Sequence, residues 1–178
     1  MELLGPGLGR EAIGLRSRRA GGVGARNGHA FGGQQFSPGR DEVNPQASRD
    51  CAVEGFSQAG ITDPRSEIDA VEMYVPFSWY EPMWLESLGF SEPDRGWQMV
   101  EDGSTDIDGG DLPVNCSGGV LSSNPIGASG MIRFAEAALQ VRGMAGDHQV
   151  DGARRAFGHA YGGGAQYFAM WVVGADKP

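Results

Sequence analysis

Cysteine and histidine are scarce in this chain: its 178 residues hold two Cys and three His. Cys51 and Cys116 share no CxxC spacing and belong to no histidine cluster, which argues against zinc and for a reducing compartment, read here as the cytoplasm. Apolar runs are short, and none reaches the ~18–20 residues needed to cross a bilayer. Basic charge is missing from the body of the chain. Residues 1–40 carry six Arg against Glu2 and Glu11, a net of +4, while residues 41–178 carry 8 basic and 21 acidic groups, a net of −13. An acidic body disfavours nucleic acid as a partner. A calcium loop is also lacking. Residues 101–111 are acidic and Gly-rich, but Asp106 and Asp108 have no third ligand in register, and Ser117 stands where a bidentate Glu is required.

What is present suffices for one sizeable core, with 40% hydrophobic and 9% aromatic residues. Residues 1–40 form an irregular Gly/Arg-rich segment with no sustained period of 3.6 or 2. It has no apolar core of a signal peptide, and none follows Arg18-Arg19. A flexible tail, an organellar transit peptide and a GC-rich frame translated out of register all fit that composition.

Residues 41–178 read as the domain. Asn44 is placed to cap a helix with Pro45 at its first position, and Ala47, Cys51, Ala52, Phe56 and Ala59 form an apolar face that Gly60 ends. Residues 68–75 read as a strand stopped by Pro76. A short helix is predicted over 81–88, with Gly89 past its end. Residues 115–130 form a glycine-lined turn that runs straight into a helix, an arrangement that lets backbone approach a ligand and points free N–H groups at it. In that helix Met131, Phe134, Ala135, Ala138 and Leu139 form an apolar stripe predicted to pack on a core, and Gly143 ends the last turn. Residues 153–174 read as a strand pair around Gly162, Gly163 and Gly164, with 167–173 as a central buried strand. Strands alternating with helices make this an α/β domain. Cys116 reads as a small buried residue. Arg133, Arg142, Arg154 and Arg155 are candidates for a ligand phosphate, each also readable as a solvated charge.

Three segments in this order, 69–86, 115–143 and 153–174, resemble the C-terminal half of a thiolase-superfamily subunit. The middle one is the most specific. The family's Asn-x-x-Gly-Gly segment, Gly-His-Pro turn and Gly-Ala-x-Gly helix start are matched by Asn115, Gly118, Gly119, Pro125, Gly127, Ala128 and Gly130. The resemblance implies a mixed five-stranded sheet with packed helices, an acyl-CoA thioester as substrate, no separate cofactor or metal, and a homodimer. It also implies a site shared between two similar halves, of which this chain holds one.

The departures from the family pattern bear on chemistry. Where thiolases place the histidine that takes the proton of the nucleophilic cysteine, this chain has Asn124, and an amide cannot accept that proton near neutral pH. Tyr161 fills the place of the second thiolase cysteine, and residues 73–78 replace the usual Asn-Glu-Ala-Phe loop. The string over 74–86 resembles the lipid-transfer-protein branch, whose members include aldolases that cleave steroid side-chain acyl-CoA esters and work with a small OB-fold, zinc-ribbon partner. On that resemblance the expected activity is retro-aldol cleavage of a 3-hydroxyacyl-CoA. Acetyl-CoA acetyltransferase-like activity and a truncated, non-catalytic thiolase domain that binds acyl-CoA or lipid are the alternatives. Tyr161 is expected to be the acid/base nearest the α-carbon, Tyr74 the second proton-transfer group and Asn124 an oxyanion contact. Asn115, Gly118, Gly119, Gly127, Ala128, Gly130, Gly162, Gly163 and His159 are expected to line the substrate. Trp79, Tyr80 and Trp84 read as core or partner-facing surface.

Overall fold

A computed structural model describes residues 12–13, 41, 43–121 and 123–175. Apart from Ala12 and Ile13, the expectations for residues 1–40 fall outside the described residues. Strand β1 (Ala12–Ile13) is followed by α1 (Gln46–Ala59), α2 (Pro64–Glu67), β2 (Ala70–Glu72), α3 (Tyr80–Ser87), α4 (Gly96–Glu101), α5 (Ser129–Val141), β3 (Arg155–Gly162) and β4 (Tyr167–Gly174). Short 3-10 turns at Ile126–Ala128 and Gly146–His148 flank α5.

The sheet runs β1-β4-β3-β2. Strand β2 is parallel to β3, and the other pairs are antiparallel. The α/β class stands, with a mixed sheet. The fifth strand is not among the described residues, and beside β2 there is a single parallel bridge, Val71 to Val114. Gly163, Gly164 and Ala165 turn the β3–β4 hairpin at φ of 65°, 58° and 62°. These left-handed values suit glycine at the first two positions.

Alternation along the strands sorts side chains to two faces. Val71, Phe157, Met170 and Val172 pack with Phe56 of α1 and with Trp84, Leu85 and Leu88 around α3. On the other face Ala70, Ala156, Trp171 and Val173 pack with Ala137 and Val141 of α5. Gly158 lies opposite Trp171 in the register, and a β-carbon there would run into the indole. The strand thus gives up a side chain so that a large ring can lie flat across it.

Two local expectations change. Pro45, not Asn44, is the N-cap of α1, without a side-chain cap, because the Asn44 carbonyl side chain accepts a hydrogen bond from the Ser87 hydroxyl at 3.0 Å. Helix α5 exists, and Phe134 and Ala138 of its apolar stripe pack on the core beside Trp171, but Met131 and Ala135 fall outside its buried face. Ser129, Arg133, Ala137, Gln140 and Val141 are buried, Met131 is 71% exposed and Ala135 is exposed. Gly60 and Gly143 end their helices at φ of 69° and 65°, in the expected left-handed conformation.

Candidate functional site

The chain leaves β2 through Met73 and reaches Tyr74, whose backbone oxygen accepts the Trp84 indole N–H at 3.0 Å. That bond fixes α3 over the strand end. Trp84 is fully buried and forms the hub of an aromatic cluster, with ring centroids 5.4 Å from Tyr80, 4.9 Å from His159, 5.4 Å from Tyr161 and 5.8 Å from Phe168. His159 and Tyr161 are two residues apart on β3 and so share one face.

The structure brings together the three residues expected to carry chemistry. The rings of Tyr74 and Tyr161 meet edge to face at 5.4 Å. Asn124 donates its amide N–H to the Tyr74 hydroxyl at 2.8 Å. Its orientation is set by two donors on the carbonyl side, the Ser129 hydroxyl at 2.7 Å and the Ile126 backbone N–H at 3.2 Å. With Oδ1 so engaged, the NH₂ group faces the phenol. The Tyr161 hydroxyl in turn lies 2.9 Å from that of Tyr80, a contact that sequence reading missed by assigning Tyr80 to core or partner surface.

His159 is fully buried, and neither ring nitrogen has a hydrogen-bond partner among the described residues. Burial pulls its pKa down from 6.5 to about 3, so the ring is neutral at physiological pH. Packed between Trp84 and Phe168 and 0% exposed, it has no face open to a substrate. The expectation that it lines the substrate is corrected on that ground.

The loop starting at Asn115 is a mount held by the protein. Asn115 has φ 56°, donates its backbone N–H to Val71 at 2.7 Å and accepts the Met73 N–H on its side chain at 2.8 Å. Ser117 donates its hydroxyl and its backbone N–H to Glu72, at 2.7 and 3.1 Å. Glu72 also pairs with Arg133 at 2.7 Å, with both side chains almost wholly buried. Burial pushes the Glu72 carboxyl above its ordinary range, while Arg133 and Ser117 pull it back. Arg133 is therefore not available to an acyl-CoA phosphate. A charge inside the apolar strand run 70–73 was the sequence signal for this pair.

The glycines divide by what their missing side chains leave open. A β-carbon would meet Asn115 from Gly119 (3.2 Å), Ala160 from Gly130 (2.8 Å), and Gln166 and Tyr167 from Gly163 (2.8 and 2.9 Å), so these three are closed by the chain itself. Gly118, Gly127 and Gly162 face open space, and Ala128 is exposed at the N-cap of α5. Cys116 is buried as expected. Burial, with Glu72 nearby, pushes its thiol up to about 11, and burial raises Cys51 to about 11 as well. Neither is a thiolate nucleophile at neutral pH. A separate open groove between α1 and the C-terminal end of α3 is lined by Arg49, Ala52, Phe56, Ile61 and Glu86. Arg49 bonds the Asn44 carbonyl and Gln46, and Glu86 accepts the Gly96 N–H. With its polar groups so engaged, the groove offers no converging reactive set.

Residues 28–175 match the model of the family described as thiolase C-terminal domain-like. The chain belongs to this family. It is 41% identical over 125 residues to an acetyl-CoA acetyltransferase of Methanothermobacter thermautotrophicus, a match covering 70% of this chain and 32% of the relative. It is 34% identical over 135 residues to sterol carrier protein 2 of Homo sapiens, covering 75% and 23% respectively. A solved structure, the Ltp2-ChsH2(DUF35) aldolase, superposes with a TM-score of 0.64 at 28% identity, covering 74% of this chain and 32% of that one. This thiolase-like chain therefore sits on the lipid-transfer side of the superfamily and spans a third or less of the length of these relatives.

Proposed function

We propose that this thiolase-like half acts on a 3-hydroxyacyl-CoA and cleaves its carbon–carbon bond by retro-aldol chemistry, in lipid or steroid degradation. The observation that carries the reading is the Tyr74–Asn124–Tyr161 arrangement. An amide donor and two phenols converge where a thiolase needs an imidazole and a thiol.

Each group has a role. Tyr74, acting as phenolate, takes the proton of the β-hydroxyl, with the Asn124 N–H donating to its oxygen. The C–O bond becomes a carbonyl, the Cα–Cβ bond breaks, and its electron pair moves into the thioester as an enolate. The second N–H of the Asn124 amide donates to the thioester oxygen as charge develops there. Tyr161 then protonates the α-carbon. A ketone and a shortened acyl-CoA leave, and solvent exchange returns the proton now on Tyr74 to Tyr161. Coenzyme A is part of the substrate. The open faces of Gly118, Gly127 and Gly162 and the N-terminus of α5 at Ala128 form this half's share of the pocket. The remainder comes from a second half or second copy, and the aldolase neighbour's DUF35 component supports an OB-fold, zinc-ribbon partner.

The acetyltransferase relative favours a second reading, acyl exchange between acetyl-CoA molecules. Asn124 in place of an imidazole weighs against it. The test incubates the full chain, with and without the OB-fold partner, with a steroid 3-hydroxyacyl-CoA and follows ketone release. Tyr161→Phe should lower release by roughly 10²–10⁴-fold while acyl-CoA binding persists. Unchanged release sinks the role of Tyr161, and acetyl exchange without ketone release selects the transferase.

A further inference from the structure

We infer that Tyr80 is the positioning residue of Tyr161, its hydroxyl donating to the Tyr161 oxygen once that oxygen has given its proton to carbon. The inference rests on the acid role proposed for Tyr161 and assigns a function to a residue that lies outside that scheme. Tyr80 opens α3, and its backbone N–H is tied to the Phe77 carbonyl at 2.9 Å. Its ring is flanked by Trp79 at 4.1 Å, Phe77 at 5.9 Å and Trp84 at 5.4 Å. Neighbours on several sides hold the phenol in place, so little side-chain entropy is spent on the 2.9 Å contact with Tyr161. The ring of Tyr161 rests against the same Trp84 at 5.4 Å.

In the neutral pair either hydroxyl can be the donor. After Tyr161 loses its proton, Tyr80 is the member of the pair that donates, and a hydrogen bond to an anion is shorter and stronger than a neutral one. The bond therefore favours the ionised form of Tyr161 and makes it a better acid. It also couples the two phenols, because a second charge 2.9 Å from the first is disfavoured. Titratable groups described on the packed elements include His159 on β3, Tyr74 beyond the end of β2, Cys51 on α1 and Glu81 beside Tyr80. His159 is held neutral by burial, Cys51 is protonated at neutral pH, and Glu81 bonds Thr105. The scheme also gives both tyrosines one design, each phenol oxygen having its own donor: Asn124 for Tyr74 and Tyr80 for Tyr161.

The test uses the full chain with Tyr74→Phe and Tyr167→Phe, which leaves Tyr80 and Tyr161 as its only tyrosines. Phenolate absorbance is read within milliseconds of a pH jump, before alkaline unfolding. Two ionisations are expected, separated by at least about one pH unit. Adding Tyr80→Phe, which keeps the ring stack, should leave a single ionisation about one pH unit above the first of the pair. Tyr161→Phe in the same background should show the reciprocal change, which controls for any local rearrangement in the first variant. In turnover, Tyr80→Phe in the otherwise native chain should lower kcat about tenfold with KM unchanged and move the alkaline limb of kcat upward by about one pH unit. An unshifted Tyr161 titration overturns the inference even if the enzyme is active. A shifted titration in a chain without lyase activity supports the pair and overturns only the lyase reading.

Discussion

Replacing His159 with phenylalanine tests how this protein pays for a neutral imidazole in its core. His159 is 0% exposed, its ring nitrogens are unpartnered among the described residues, and burial lowers its pKa from 6.5 to about 3. As pH falls through 6.5 the unfolded chain takes up a proton that the folded protein refuses until about pH 3, so native stability declines across that window. Between pH 7 and pH 5 the linkage integral for these two values comes to about 2 kcal/mol. Desolvation of the unpaired nitrogens adds a cost that is present at every pH, roughly 1–3 kcal/mol. Phenylalanine fills similar space between Trp84 and Phe168, binds no proton and buries no nitrogen. His159→Phe is therefore expected to be more stable than the parent by roughly 1–3 kcal/mol at pH 7, and the gap should widen by about 2 kcal/mol at pH 5. Urea unfolding followed by circular dichroism at pH 7, 6 and 5 measures both quantities, provided the slope against urea is common to the two proteins. A gap that stays constant with pH would refute the buried neutral ring. A less stable variant at pH 7 would show that the nitrogens have partners worth more than their desolvation.

Two further substitutions probe the frame of the site. Gly158→Ala places a β-carbon inside the Trp171 indole and should cost roughly 1–3 kcal/mol or more, read as a fall in Tm. Gly162→Ala, which faces open space on the same strand, is the control and should change stability by less than about 1 kcal/mol; equal effects would refute the steric account. Arg133→Met alone leaves Glu72 buried without its cation and should cost about 3–5 kcal/mol. Arg133→Met combined with Glu72→Leu should recover most of that loss, so strictly additive unfolding free energies in the double-mutant cycle would show that the two charges are not coupled.

Turns and chain reversals were legible because they depend on a few adjacent residues. Gly60, Gly143 and the Gly163-Gly164 turn each occupy a left-handed conformation that their residue type permits. The convergence of Tyr74, Asn124 and Tyr161 was legible only through family resemblance, since no local period connects them. Tyr80 escaped because its partner lies 81 positions further on, and only the fold of α3 over β3 brings the two hydroxyls together. Glu72 and Arg133 are 61 positions apart, and only Glu72, inside an apolar strand run, carries a local sign of burial.

Helix α5 shows why part of an apolar stripe, Met131 and Ala135, misled. At 3.6 residues per turn each residue advances about 100°, so Met131 and Ala135 both lie about 200° from Arg133. Burying Arg133 therefore turns those two outward, whatever their hydrophobicity. Gln140 locks the same rotation at the other end by donating to the His148 carbonyl at 2.7 Å and accepting the Val150 N–H at 2.8 Å. Ser129, Ala137 and Gln140 lie within about 40° of Arg133 on the helical wheel and share its buried side. Hydrophobicity was thus outweighed by polar partners that have no alternative in the interior, since an unpaired buried guanidinium or carboxylate costs more than an exposed methionine. The rotation reaches the site through Ser129. On the buried side its hydroxyl meets the Asn124 carbonyl at 2.7 Å, and that bond points the amide N–H at Tyr74. A charge pair on β2 and α5 thereby fixes which way the candidate oxyanion donor faces.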